Sequence, residues 1–210
     1  MTLPPLGYLN LVSNVLPMGV GLIRVRRMKG PIVLFFIFVA FSGATELTSF
    51  LLAMRSIHNL WLVDLYHLVE YVLLTIVLTS WRKDGLLRRV ERLAILGYGL
   101  FWLVAKSTFE PFGGAGQVTS TIASIFILCS AIVTMFQLVQ DEESNYLNDC
   151  KFWIIAGVLL YIAGNLLLFT VFEKFALLTL HDALTVWSVH WGINILVNIV
   201  YTISFLLIKR

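Results

Sequence analysis

The sequence predicts an all-α polytopic membrane protein, a bundle of seven transmembrane helices forming a single domain over residues 1–210. Three observations carry that expectation. The chain is 59% hydrophobic and only 13% charged, with a mean hydropathy of +0.89, outside the balance of a soluble domain. Seven apolar runs, at about 6–23, 31–54, 60–81, 93–110, 118–139, 152–172 and 184–208, approach the roughly 20 residues that a bilayer-spanning helix needs. Only short connections separate them, so no room remains for a soluble domain, and no internal repeat is evident.

The basic residues fix the expected orientation. Arg24, Arg26, Arg27 and Lys29 follow the first run, and Arg82, Lys83, Arg88, Arg89 and Arg92 follow the third. With Lys151, Lys209 and Arg210 these make twelve of the fifteen basic residues, leaving Arg55, Lys106 and Lys174 for the other side. By the positive-inside rule the N-terminus is outside and the C-terminus cytoplasmic. The net charge of +3 is no nucleic-acid signal, because the basic residues sit in short loops rather than along one surface stripe. Cys129 and Cys150 form no CxxC motif, and residues 1–6 carry no Lys or Arg, so no signal-peptide n-region is expected.

In the first run Asn10 and Asn14 share a face suited to interhelical hydrogen bonding, and Pro17 is expected to kink the helix. The second run carries Ser42, Gly43, Ala44, Thr45 and then Glu46. The third places Asp64, His67 and Glu70 at every third residue along one helical stripe, with Trp61 and Trp81 as interfacial anchors. The fourth is apolar except for Lys106 and Glu110, spaced i, i+4 near its outer end. The glycine-rich segment 111–116 follows a helix rather than a strand and reads as a turn, not a phosphate loop. The fifth run opens with Thr119, Ser120, Thr121 and Ser124, and the acidic residues Asp141, Glu142 and Glu143 after it read as a solvated cytoplasmic turn. In the sixth, Gly157 and Gly164 mark a close-packing face, with Asn165 beside them. The seventh carries His190, Asn194 and Asn198 as a second polar stripe between Trp187 and Trp191.

By depth, Asn10, Asn14, Glu46, Asp64, His67, Glu70, Lys106, Asn165, His190 and Asn194 all fall between the outer interface and the midplane, and the loop histidines His58 and His181 lie on that side too. An ionisable group at the centre of a membrane helix costs about 3 kcal/mol on insertion scales, so such residues point to function. The expectation is an outward-opening polar pocket of Glu46, Asp64, His67, Glu70, Lys106, Asn165, His190 and Asn194. The bland alternative is that these groups satisfy one another, the asparagines in particular acting as packing glue.

Two functional readings follow. In the first, the pocket binds a small ligand or a proton, histidine being a natural pH switch, and the helices signal to a separate cytoplasmic partner. Residues 82–92, with Leu86, Leu87 and Val90 interleaved, read first as an anchor on anionic lipid and second as a docking surface for that partner. In the alternative, His67, Glu70 and His190, with Glu46 or Asp64, hold Zn or Fe in an intramembrane hydrolase or oxidase acting on a lipid-like substrate. No HExxH motif occurs, and nothing specifies a haem on His67 and His190. A transporter is disfavoured because the polar track fades in the inner half.

In architecture the chain resembles microbial rhodopsins and other seven-helix receptors. Rhodopsins attach retinal to a lysine of the seventh helix, and here that helix has no lysine before Lys209, which argues against retinal. Ceramidase and adiponectin-receptor-like hydrolases are also seven-helix proteins. Their Ser-x-x-x-His and His-x-x-x-His patterns are missing, because the second run offers Glu46 and the seventh His190 followed by Asn194. The segments SGATELTSF, NLWLVDLYHLVEY, FWIIAGVLLYIAGNLLLF and WSVHWGINILVNIVY together resemble a group of uncharacterised bacterial seven-helix membrane proteins, some similar to the membrane modules of sensor histidine kinases. That resemblance implies a bacterial inner (plasma) membrane location and a sensory role, and it transfers no catalytic residue.

Overall fold

The computed structural model describes residues 5–114, 118–140, 145–175 and 180–208, the side chains of 169–175 and 180–184 excepted. Lys209 and Arg210, the acidic run 141–143, the end of the 111–116 turn, and the side chains of Lys174 and His181 therefore lie outside the described residues. Every apolar run forms helix: α1 (Pro5–Ser13) and α2 (Val15–Arg24) share the first, followed by α3 (Pro31–Met54), α4 (Leu60–Ser80), α5 (Gly85–Thr108), α6 (Val118–Val139), α7 (Cys150–Phe175) and α8 (Leu180–Leu206). No strand occurs among the described residues.

The break between α1 and α2 falls at Asn14, three residues before Pro17. A proline lacks the N–H that would bond the carbonyl four residues back and its ring crowds that carbonyl, so the ladder fails around Ser13. Ser13 Oγ and Asn14 Nδ2 both donate to the Asn10 carbonyl, at 2.7 and 3.1 Å, and hold the turn.

Among the described residues six helices are long and apolar enough to cross a membrane: α1 with α2, α3, α4, α6, α7 and α8. Large apolar side chains such as Ile23, Leu96, Phe136 and Leu167 are exposed, as contact with lipid requires. The chain is a multi-pass membrane protein. α5 is the exception to the apolar criterion, because it opens with Arg88, Arg89, Glu91 and Arg92 and carries Lys106. It begins at Gly85, well before the apolar run at 93, because Asp84 caps it: Oδ1 accepts from the N–H groups of Leu86 and Leu87 at 2.8 and 3.2 Å.

The contacts divide the chain into two compact units, residues 28–141 and residues 1–27 with 142–210. In the first, α4 is the hub, packed by α3, α5 and α6 around Phe35, Phe38, Leu74, Leu78 and Ile127. In the second, α8 is the hub, packed by α7, α1 and α2 around Ile154, Ile155, Val158 and Phe205. Gly157 and Gly164 do mark the close-packing face. A Cβ at Gly157 would stand 2.4 Å from the Tyr201 ring, and one at Gly164 would stand 2.9 Å from Ile193.

Candidate functional site

The Asp64, His67, Glu70 stripe divides between two clusters, because successive members precess around α4 and meet different neighbours. Asp64 belongs to a clasp that joins α4, α5 and α6. Lys106 Nζ donates to Asp64 Oδ1 and to Glu110 Oε1, both at 2.7 Å, and the side chains of Lys106, Asp64 and Glu110 are 5%, 8% and 4% exposed. One ammonium faces two carboxylates, so the excess negative charge needs further donors. Asp64 Oδ2 accepts from the Gly113 N–H at 2.7 Å. Glu110 accepts from the Thr119 N–H at 3.1 Å and the Thr119 hydroxyl at 2.7 Å. Gly113 has a φ of +76°, a left-handed conformation that suits glycine and aims its N–H at Asp64.

Glu70 anchors the second cluster, between α4 and α3. It is 2% exposed; its Oε1 accepts from the Tyr66 hydroxyl at 3.0 Å, and its Oε2 lies 3.1 Å from His67 Nδ1. Tyr66 is held by a stacked Phe41 ring at 6.1 Å and by Ser42 Oγ at 3.4 Å from its hydroxyl. The His67 side chain remains 15% exposed, so the buried carboxylate is reached through a partly accessible imidazole. Glu46 lies one turn beyond Ser42 on α3 and is half-buried.

At the other end of the same unit is a charged cluster that the positive-inside count hides. The Arg82 side chain is fully buried. Its Nε donates to Thr134 Oγ1 at 3.2 Å, its Nη2 to the Ser130 carbonyl and hydroxyl at 2.7 and 3.0 Å, and its Nη1 pairs with Glu91 Oε1 at 2.7 Å. Burial pushes the Glu91 carboxyl above the usual carboxylate value, against the pull of Arg82. Arg82 is thus a strut between the end of α4 and α6 rather than a solvated topological signal.

The remaining expected residues belong to the unit built on α8. His190 Nδ1 lies 2.7 Å from Asn165 Oδ1, and His190 Nε2 lies 3.1 Å from Asn194 Nδ2. An amide oxygen only accepts and an amide nitrogen only donates, so this arrangement selects the neutral Nδ1–H tautomer of His190. Trp187 packs edge-on against the imidazole at 5.3 Å. One turn farther along α8, Asn198 Nδ2 donates to Ser13 Oγ at 2.8 Å.

The structure therefore joins Asp64 to Lys106, His67 to Glu70, and Asn165 to His190 and Asn194. Among the described residues no three His, Cys, Asp or Glu side chains are gathered closely enough to hold a metal ion. Sequence reasoning missed Tyr66, Gly113, Thr119 and the Arg82–Glu91 pair. Tyr66 had a signal, standing four residues before Glu70 on one helix face, whereas a backbone N–H brought in by a turn has none. Searches of protein-family models, curated proteins and solved structures return no match.

Proposed function

We propose that the chain is a receptor-like, sensory protein of a bacterial inner membrane, with seven spans, its N-terminus outside and its C-terminus cytoplasmic. It responds to a proton or small ligand and signals to a separate cytoplasmic partner. The observation that carries the reading is the partly exposed His67 resting on the fully buried Glu70. A carboxylate at that depth is costly unless paired. A proton gained by His67 turns a hydrogen bond between a neutral imidazole and the Glu70 carboxylate into an ion pair and redistributes the bond from Tyr66, which is packed against α3 through Phe41. Movement of α3 against α4 is the output expected from such a change.

Two features support the seventh span. Leu93, Leu96, Leu100, Leu103 and Val104 of α5 are all exposed, an apolar face along the helix. The charge that lowers its hydropathy, Lys106, is neutralised by Asp64 and Glu110.

The test is hydrogen exchange of α3 and α4 in nanodiscs between pH 5 and 8. The wild type should show a protection change that His67→Gln abolishes without loss of helical signal. A flat wild-type profile, or an unchanged His67→Gln profile, rejects the proton reading. Elemental analysis of the same preparations separates the alternative: stoichiometric zinc or iron lost in His67→Ala would make the cluster a metal site.

A further inference from the structure

The first turns of α5 carry a feature that the sensory reading does not use. Gly85, Arg88, Arg89 and Arg92 line an open cleft of about 230 Å3, ample for a phosphate group. The glycine contributes no side chain, so the side chains of three arginines, stems and guanidinium groups together, form the lining. The nearby carboxylates are committed elsewhere: Asp84 caps the helix and Glu91 pairs with Arg82. No carboxylate among the described residues pairs with Arg88, Arg89 or Arg92. Arg88 spends one nitrogen on the Arg82 carbonyl, and its buried Nε has no hydrogen-bond partner. The cleft thus presents guanidinium groups with no carboxylate paired to them, and guanidinium forks match phosphate oxygens in geometry as well as charge.

What lies beside the cleft selects the kind of anion. Leu86, Val90 and Leu93 are 73%, 54% and 63% exposed and, at spacings of four and three, form one stripe along α5. Leu96 and Leu100 continue that stripe. In the seven-span arrangement proposed above, on which this inference rests, the arginines stand where an exposed apolar helix face begins, at the depth of lipid phosphates. A soluble anion would need the arginines and not the leucines.

We propose that Arg88, Arg89 and Arg92 bind the phosphate of an anionic phospholipid, with Leu93, Leu96 and Leu100, farther along α5, lying against its acyl chains. The experiment is native mass spectrometry of the full chain released from micelles containing equal phosphatidylglycerol and phosphatidylcholine. The wild type should retain phosphatidylglycerol preferentially. Arg89→Gln with Arg92→Gln should cut that preference roughly tenfold or more, because two of the three guanidinium groups facing the phosphate are removed. Arg26→Gln with Arg27→Gln, an exposed basic pair on another connection, should leave it unchanged. Equal retention by the wild type and the Arg89/Arg92 variant overturns the proposal, and so does an equal loss in the Arg26/Arg27 variant, which would mean general electrostatics. Inorganic phosphate is the last arm: if it binds alone as well as the lipid does, the cleft serves a soluble anion and the lipid assignment fails.

Discussion

The two hub helices solve one problem with different chemistry. α4 and α8 each carry polar residues through an otherwise apolar helix and are packed by three others. Around α4 the polar groups include acidic and basic side chains that need several partners: Asp64 and Glu110 together take up an ammonium, two backbone N–H groups and a hydroxyl. Around α8 the polar groups are amides and an imidazole, bonded in short pairs to α7, to α1 or within α8 itself. Close approach is made there by glycine rather than by charge. Full charges in a membrane protein must recruit turns and several helices, whereas neutral groups need only a nearby neighbour.

That contrast can be broken at its strongest point first. Lys106→Met leaves two buried carboxylates without their cation and should destabilise the protein by about 3–5 kcal/mol in a denaturant titration in mixed micelles. Adding Asp64→Asn and Glu110→Gln should restore part of that loss, because neutralising the whole clasp costs less than orphaning its acids. A wild-type-like Lys106→Met would mean that the two carboxyl groups do not depend on the ammonium. In the α8 unit the largest effect should come from crowding. Gly157→Ala meets a buried tyrosine ring and should cost about 2–3 kcal/mol, whereas Gly164→Ala meets the flexible tip of Ile193 and should cost about 1 kcal/mol. The reverse order would show that Tyr201 yields more readily than Ile193. Asn198→Leu removes one neutral interhelical bond and should cost only about 0.6 kcal/mol by the same titration.

Legibility in the sequence followed the range of the interaction. The helices were readable because hydropathy is a local property: α3 and α6 occupy the runs 31–54 and 118–139 end to end. The start of α5 was not, since the apolar run marks where a helix turns greasy and the capping Asp84 marks where it begins. Among the site residues, His67 with Glu70 was visible as an i, i+3 pair on one helix. The destination of Asp64 depended on Lys106, 42 positions away, and on a glycine N–H 49 positions away. Arg82 misled because a count of basic residues records charge and not burial; its partners Ser130 and Thr134 look like ordinary small polar residues of α6.

The Asp64–Lys106 contact also bears on how the chain is made. α5 fails the hydropathy criterion that six other segments pass, so in the seven-span arrangement it is the segment the insertion machinery would release least readily into lipid. Its ammonium becomes acceptable only beside a carboxylate that has already emerged, and Asp64 precedes Lys106 in the order of synthesis. In that arrangement α4 would serve as a template for its successor. Loss of Asp64 should appear as misrouted nascent chains before it appears as an unstable protein.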